Sequence, residues 1–548
     1  MINFKKIFKF ALLLVVVQIM TGCTKLNEKL NSTLTKEQVT TSLGTAGTGL
    51  LLGAAYSDLT FLAGQDQLFS LEENASDESL VPTRGGDWDD NGVWRVVHNH
   101  TWTADHSQIL SVFNNLNKIN FDATNVLGFN PTASQAAQAR FLRAYALYYL
   151  LDLYGQFPIR NPGENLLLAP EVKKGAEGSD FIISELTAIL PDLPAAGTTD
   201  GPPSVANADV AKVLLMKAYL QKGAFANPAS PTFDPGDMAQ VISLGTAIMG
   251  SGIYSYSANY FDNFSPTNHA SPEAIFLYPN TGGVSTNHAA TEDFWNMTLH
   301  YNSWDKLAPN AGWNGFSTIS DFYNTFNTTA SPTVFGPTDT VFDTRLGGRK
   351  TSNLISTQTS GIRPGFLVNQ QYDEHGVAEK DRKGNPLAFE PAIAADMKET
   401  GANLEVTGIR VTKYTPDYNF YGGPAGNDLM IFRYPDVVLM VAEAMLRVNP
   451  ADPAVLPMVN ALRTARGAAP LAAISLVNTT DLHDPNTLLS ERGRELYWES
   501  FRRTDLIRFG VYLNTWQYKP SDDPKNLLFP IPNQALAANP NLTQNPGY

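Results

Sequence analysis

Cysteine is almost absent from this chain: Cys23 is the only one in 548 residues. No disulfide, thiol nucleophile or cysteine-held zinc is available beyond that position, so packing and polar contacts must hold the fold. Charge is sparse too, at 17% of residues, and basic groups are the scarcer kind, 39 Lys and Arg against 53 Asp and Glu. The resulting formal charge of −14 excludes nucleic acid as a partner, because a polyanion needs a basic face. Signatures of common chemistry are missing as well. No His-Glu-x-x-His, Gly-x-Ser-x-Gly or Gly-Lys-Ser/Thr occurs, and Gly348-Arg-Lys-Thr351 places arginine where a phosphate loop needs lysine directly after glycine. The longest apolar stretch near the N-terminus falls short of the roughly 20 residues that cross a bilayer.

That stretch nevertheless carries information. Lys5, Lys6 and Lys9 precede an apolar run from Phe10 to Met20, and Thr21-Gly22 leads directly into Cys23. A basic head, a short hydrophobic segment and small residues before a cut site describe an export signal. A cysteine just after the cut can carry lipid, and several acyl chains hold a protein firmly on a membrane surface. Residues 1–22 are therefore expected to be a lipoprotein signal peptide, Cys23 the site of lipid attachment, and residues 23–41 a polar tether. Without the three lysines of the leader, 36 basic residues face 53 acidic ones, a formal charge of about −17. With 43% apolar and 11% aromatic residues, the remainder can bury a large core.

Helical periodicity dominates two stretches of the mature chain. Between Gln135 and Tyr154, Leu142, Ala146, Tyr149 and Leu153 recur at helical spacing, with Gly155 and Pro158 as stops. Asn207 to Phe225 repeats the design, with Asn207 as N-cap and Gly223 as the expected end. Asp436 to Gly467 reads as two helices around a Pro450/Pro453 break, with Asp452 capping the second, which matches the tetratricopeptide period. From about 271 to 427 the texture changes to Gly, Pro, Asn, Thr and aromatics. That predicts a loop-rich lobe with short strands, with turns at Asp373–Gly376 and Asp381–Asn385. Gly44, Gly47, Gly49 and Gly53 miss the dinucleotide spacing and are expected to mark a helix start. The Pro- and Asn-rich tail, Leu528 to Tyr548, is expected to wrap the body in extended form.

Six segments, in order, resemble one family. They are RFLRAYALYYLLDLYGQFPI (Arg140 to Ile159), ADVAKVLLMKAYLQKGAF (Ala208 to Phe225), IFRYPDVVLMVAEAML (Ile431 to Leu446), VNALRTARG (Val459 to Gly467), ERGRELYWESFRRTDLIRFG (Glu491 to Gly510) and LFPIPNQALAANPNLTQNPGY (Leu528 to Tyr548). Together with the lipoprotein leader they resemble the SusD/RagB outer-membrane lipoproteins, with Pro435 standing where the family usually has alanine, tolerable at a helix start. The resemblance implies a mainly α fold: tetratricopeptide-like helical pairs forming a scaffold, about 42–270 and 428–548, with an irregular ligand-facing lobe, about 271–427, all in one domain from 42 to 548. It also implies a receptor anchored by lipid on the cell exterior that binds oligosaccharide, or in some branches peptide. Such a receptor delivers its ligand to a TonB-dependent, SusC-like outer-membrane barrel. Family members are generally not enzymes and need no cofactor. A lipid-anchored polysaccharide hydrolase and a pure scaffold for protein contacts are the rival classes.

Tryptophan locates a candidate site. Of eight, three lie at Trp88, Trp94 and Trp102 and three at Trp295, Trp304 and Trp313. Sugar rings pack C–H faces on indoles while their hydroxyls pair with planar polar groups. Arg84, Asp87, Asn91 and Asn99 accompany the first cluster, and Tyr301, Asn302 and Asn314 the second. The expected arc is Arg84, Asp87, Trp88, Trp94, Asn99, Trp102, Trp295, Tyr301, Trp304 and Trp313. Asp87-Trp-Asp-Asp-Asn-Gly92 also mimics half a calcium loop, but its twelfth position is His98 rather than glutamate, so a plain turn is expected. His98, His100 and His106 lie close in sequence, yet zinc is not expected and no metal is assigned. Glu495 and Glu499 share a helical face, but Glu499 with Arg503 and Glu491 with Arg494 have ion-pair spacing. A structural charge network is therefore expected there, and no catalytic residue is assigned.

Overall fold

A computed structural model describes residues 44–303, 312–326, 343–347, 364–372, 377–401, 404–420, 422–520 and 522–548. Cys23, the leader and the tether, Trp304, Gly348–Thr351 and the Asp373–Gly376 turn lie outside the described residues. Among the described residues no helix is long and apolar enough to cross a membrane.

The scaffold is a row of helices, each packed on the next: α1 (Ser107–Leu127), α2 (Ala133–Tyr154), α3 (Gly175–Ile189), α4 (Ala208–Ala226), α5 (Pro235–Met249), α6 (Tyr434–Val448) and α7 (Val455–Ala465). Local sequence sets their ends. Thr132 and Gln135 form a reciprocal capping box before α2, and Gly155, at φ 68°, closes it in the left-handed region. Asn207 Oδ1 accepts from the backbone N–H groups of Asp209 and Val210, as its position in the sequence suggested. Pro435 falls in the first turn of α6, where no amide donor is needed.

Three readings change. Gly223 does not end its helix, which runs on to Ala226. A Cβ at Gly223 would sit 1.8 Å from the Thr232 carbonyl oxygen, so glycine is there for close chain approach. Asp452 does not cap α7. Its carboxylate accepts from the N–H of Ala454, the residue just before the helix, which starts at Val455. Gly44, Gly47, Gly49 and Gly53 lie within a helix, Gly44–Ser57, rather than only before one.

Helix α5 packs directly on α6 although more than 180 residues separate them in sequence. The intervening lobe is thus an insertion into a helical row. Its root is a two-stranded antiparallel ribbon, Ala274–Tyr278 with Leu429–Arg433, that pairs the segment entering the lobe with the one leaving it. Within the lobe, described secondary structure is confined to short strands and helices of one or two turns. The C-terminal tail runs along the scaffold as expected, but it is not extended throughout: Asn533–Ala538 forms a short helix. Phe529 N–H donates to the Leu153 carbonyl, Asn545 Nδ2 donates to the Tyr154 and Phe529 carbonyls, and Trp102 Nε1 donates to the terminal Tyr548 hydroxyl at 2.7 Å.

A dense ion network clamps the lobe root to α8 (Leu488–Leu496), the first of two closing helices, the second being α9 (Arg502–Arg508). Glu495 accepts from Arg433, Arg466 and Arg345; Glu273 pairs with Arg433 and Arg466; Glu491 pairs with Arg345, Arg463 and Arg494. The expected Glu491–Arg494 pair forms at 2.6 Å, but the expected Glu499–Arg503 pair does not. Helix α8 stops at Leu496, and Trp498 (φ 55°) and Ser500 (φ 64°) turn the chain through the left-handed region. Helical spacing is lost there. Glu499 instead meets Arg433 and Lys413, and Arg503 meets Asp152.

That left-handed turn rests on two buried carboxyls. Glu73 Oε1 accepts from the Ser500 N–H at 2.7 Å and Glu78 Oε2 from the Trp498 N–H at 3.2 Å. Burial pushes Glu73 up to about 7 and raises Glu78 well above the usual carboxylate range. The native state therefore holds a proton on Glu73 that the unfolded chain has released, and this contribution to stability is present below 4.5 and lost as pH rises to about 7. Glu73→Gln, which keeps the acceptor and needs no proton, is expected to flatten the fall in melting temperature across that window. Thermal melts of both proteins over the window check this. An unchanged slope would mean that Glu73 stays ionised.

Candidate ligand-binding surface

Three stretches far apart in sequence meet beside the lobe: the loop after Thr83, residues 300–303 together with 312–316, and a turn at 380–385. The first begins as strand Thr83–Arg84, paired in parallel with Lys398–Glu399. Arg84 and Asp87 exchange two backbone hydrogen bonds around Gly85-Gly86, and Gly85 takes φ 68°. Beyond this tight turn Trp88 (φ 59°), Asp90 (φ 38°) and Asn91 (φ 57°) all occupy the left-handed region. For a bulky residue such as Trp88 that conformation is costly and must be imposed by its surroundings.

The surroundings are identifiable. Trp88 Nε1 donates to the Trp313 carbonyl at 2.7 Å, and its ring meets Trp94 and Phe316 edge-on, with centroids 5.3 and 5.6 Å away. It lies against Gly315, where a Cβ would stand 2.3 Å from an indole carbon. Trp88 and Trp313 remain half-buried, so part of each indole stays open.

Tyr301 forms the centre of this surface. Its hydroxyl donates to Asp87 Oδ2, and the Arg382 guanidinium lies 3.8 Å from its ring centroid. Burial, together with the Asp87 carboxylate, pushes the Tyr301 hydroxyl up to about 12, so it is a neutral donor at physiological pH. Arg382, with a side chain 46% exposed, also bonds Glu405 Oε1 at 2.7 Å. Glu405 takes a second donor, His300 Nε2, at 2.9 Å. Burial works against the Glu405 charge, but the Arg382 backbone N–H, His300 and the Arg382 guanidinium outweigh it and hold the carboxyl below its usual value. Burial lowers His300 to about 4. The result is an aromatic face edged by one exposed carboxylate, Asp87, and one exposed guanidinium, with Asn302 alongside, its Nδ2 bonded to the Lys380 carbonyl at 2.9 Å.

Several residues of the expected arc do not present a face to a ligand. Arg84 is 2% exposed, donating to Thr407 Oγ1, the Thr407 carbonyl and Ser317 Oγ. It pins the loop. Trp94, Trp102 and Trp295 are each 3% exposed and belong to the core: Trp94 Nε1 donates to Asp90, and Trp102 secures the C-terminus. Asn314, buried, accepts from Arg410, whereas Asn99 stays half-buried, its Oδ1 accepting from Thr101 two residues on. The structure thus gathers Asp87, Trp88, Tyr301 and Trp313, and adds Arg382, which the sequence reading missed. Its one signal was the turn: Asp381 N–H donates to the Asn385 carbonyl and Gly384 takes φ 87°, which lifts Arg382 to the tip.

The calcium and zinc mimics have protein partners instead. Asp87 is engaged by Tyr301, Asp89 by Arg95 at 3.0 Å and Asp90 by Trp94 at 2.7 Å. His98 bonds the Ser79 and Gln517 carbonyls, His100 bonds Asp522 and the Ala75 carbonyl, and His106 caps the helix Ser107–Leu127. Among the described residues no cluster of His, Cys, Asp or Glu has the makings of a metal site.

Known proteins share this architecture. The SusD family model matches residues 272–548. The starch-binding protein SusD of Bacteroides thetaiotaomicron is 23% identical over 524 residues, 89% of this chain and 88% of its own. A SusD superfamily protein of Parabacteroides distasonis superimposes with a TM-score of 0.65 at 18% identity, over 91% of this chain and 98% of that one. Surface glycan-binding protein A of Bacteroides thetaiotaomicron, solved in complex with laminarihexaose, gives a TM-score of 0.60 at 15% identity, over 91% and 98%.

Proposed function

The chain belongs to the SusD family, and from that premise we propose that it is a cell-surface lipoprotein that captures oligosaccharide and delivers it to a TonB-dependent, SusC-like barrel. Acylation at Cys23 would hold it on the outer membrane, facing the exterior. The observation that carries the reading is Tyr301, a half-exposed ring backed by Arg382 and bonded to Asp87, beside Trp88 in a conformation that its neighbours impose. A flat aromatic face suits the C–H side of a sugar ring, and Asp87, Arg382 and Asn302 offer an acceptor and donors to its hydroxyls. The similarity to a starch-binding protein and to a laminarihexaose-binding protein supports the same class of ligand.

Hydrolysis is disfavoured by the arrangement of charge. A glycosidase needs two carboxyls flanking the bond, one of them available as an acid. Glu405 is occupied by Arg382 and His300, which leaves Asp87 without a catalytic partner on this surface among the described residues. Incubating the protein with end-labelled neutral oligosaccharides is expected to give retention of the intact label and no shorter products. Accumulation of shorter products would overturn the receptor reading in favour of an enzyme.

A further inference from the structure

A second cavity, of ≈ 350 Å³, opens on the scaffold between the C-terminal half of helix α1 and the loop that joins strands Gln156–Ile159 and Glu171–Lys174. It shares no lining residue with the surface around Tyr301. Its volume falls within the range of about 300–1,000 Å³ typical of small-molecule sites. Asn117, Phe121 and Thr124 line it at helical spacing, so one face of α1 forms a wall. Phe121 is 41% exposed and Leu166, opposite, 62%. Such large apolar faces are unusual on a surface unless something covers them.

The polar lining restricts what that is. Asn117, Asn125 and Asn161 are neutral amides that offer both donors and acceptors. Asn117 Oδ1 is buried with no hydrogen-bond partner among the described residues, an acceptor that calls for a donor. The two charged residues of the wall are committed to the loop itself. Arg160 donates to the Asn165 and Leu168 carbonyls, Glu164 accepts from the Asn161 N–H at 2.8 Å, and the two lie 3.8 Å apart. The loop is therefore braced before any ligand arrives, and the cavity carries no net charge.

We propose that this cavity is a second binding site, for a neutral hydroxyl-rich ring of one or two sugar units. Its C–H face would lie on Phe121 and its hydroxyls would meet the three asparagine amides. An anionic ligand finds no free cation among the described lining residues, and a purely apolar one would leave the Asn117 acceptor unmet.

The test uses the full chain carrying Tyr301→Ala, so that the first surface cannot supply the signal and the outcome does not depend on that surface binding glycan at all. Saturation-transfer NMR with maltose and cellobiose as probes is expected to show binding, and adding Phe121→Ala to weaken it about tenfold through loss of the ring contact. Leu167→Ala, at a residue 92% exposed and outside the cavity lining, should leave it unchanged. No transfer from either disaccharide, transfer indifferent to Phe121→Ala, or binding of a short neutral peptide in their place would each overturn the proposal.

Discussion

Glu495→Ala is expected to destabilise the fold by about 3–5 kcal/mol, because removing one partner from a buried ion network strands the charges it neutralised. The geometry makes the case a severe one. Glu495, Glu273, Arg433, Arg466 and Arg345 have side chains with no solvent exposure. Glu495 accepts from three arginines, and those arginines hold its carboxyl down at about 2 even though burial opposes the charge. Without it Arg466 keeps only its contact with Glu273 among these carboxylates, while Arg433 keeps Glu273 and Glu499. The break would fall where the lobe root meets the closing helices, so the whole chain should respond. Denaturant unfolding of purified protein reads the loss, and Glu495→Gln, which retains an acceptor, should fall between wild type and alanine. A stability equal to wild type in Glu495→Ala would show that the network contributes nothing net. The same burial separates Glu495 from chemistry: a carboxylate enclosed by guanidiniums has no route to a substrate.

Combining Tyr301→Ala with Arg382→Ala is expected to weaken oligosaccharide binding about 30-fold or more, the scale of losing a central aromatic and arginine anchor. The melting temperature should change little, since both side chains face solvent and Arg382 is nearly half exposed. Each does something the other cannot. Tyr301 supplies the flat face and a neutral donor, while Arg382 supplies charge-assisted donors and fixes the ring from 3.8 Å. Removing Trp88 instead would confound binding with folding. Its indole is bonded to the Trp313 carbonyl and packed on Trp94, Phe316 and Gly315, so Trp88→Ala should cost stability as well as affinity. Calorimetric titration alongside thermal melts separates the two effects. Unchanged affinity in the Tyr301/Arg382 double variant would remove this surface from consideration.

The scaffold was legible in the sequence because its determinants are local and periodic. Leu142, Ala146, Tyr149 and Leu153 repeat at helical spacing, and Asn207 and Gly155 act as caps within a few residues of where they stand. Reading failed wherever a residue answers to something distant. Gly223 is glycine because Thr232 lies against it, which no local pattern announces. Glu499 and Arg503 have helical spacing, but the helix stops at Leu496 and the turn through Trp498 and Ser500 that follows satisfies Glu73 and Glu78, more than 400 residues away. The binding surface suffered most. Trp88 stands in an irregular loop and Trp94 on a helix of only six residues, Val93–His98, so no period says which way either indole points, and the two could not be told apart although one keeps an open face and the other is core. Arg382 was visible only as part of a turn, because its meaning comes from Tyr301 some eighty residues earlier.

The receptor reading turns on whether neutral oligosaccharide binds at Tyr301. Isothermal titration of a panel of neutral β- and α-linked glucan oligosaccharides into the wild-type chain and the Tyr301→Ala/Arg382→Ala variant decides it. Saturable binding of at least one oligosaccharide to wild type, weakened about 30-fold or more in the variant with its fold intact, is the predicted result. Equal binding by both proteins would contradict the account.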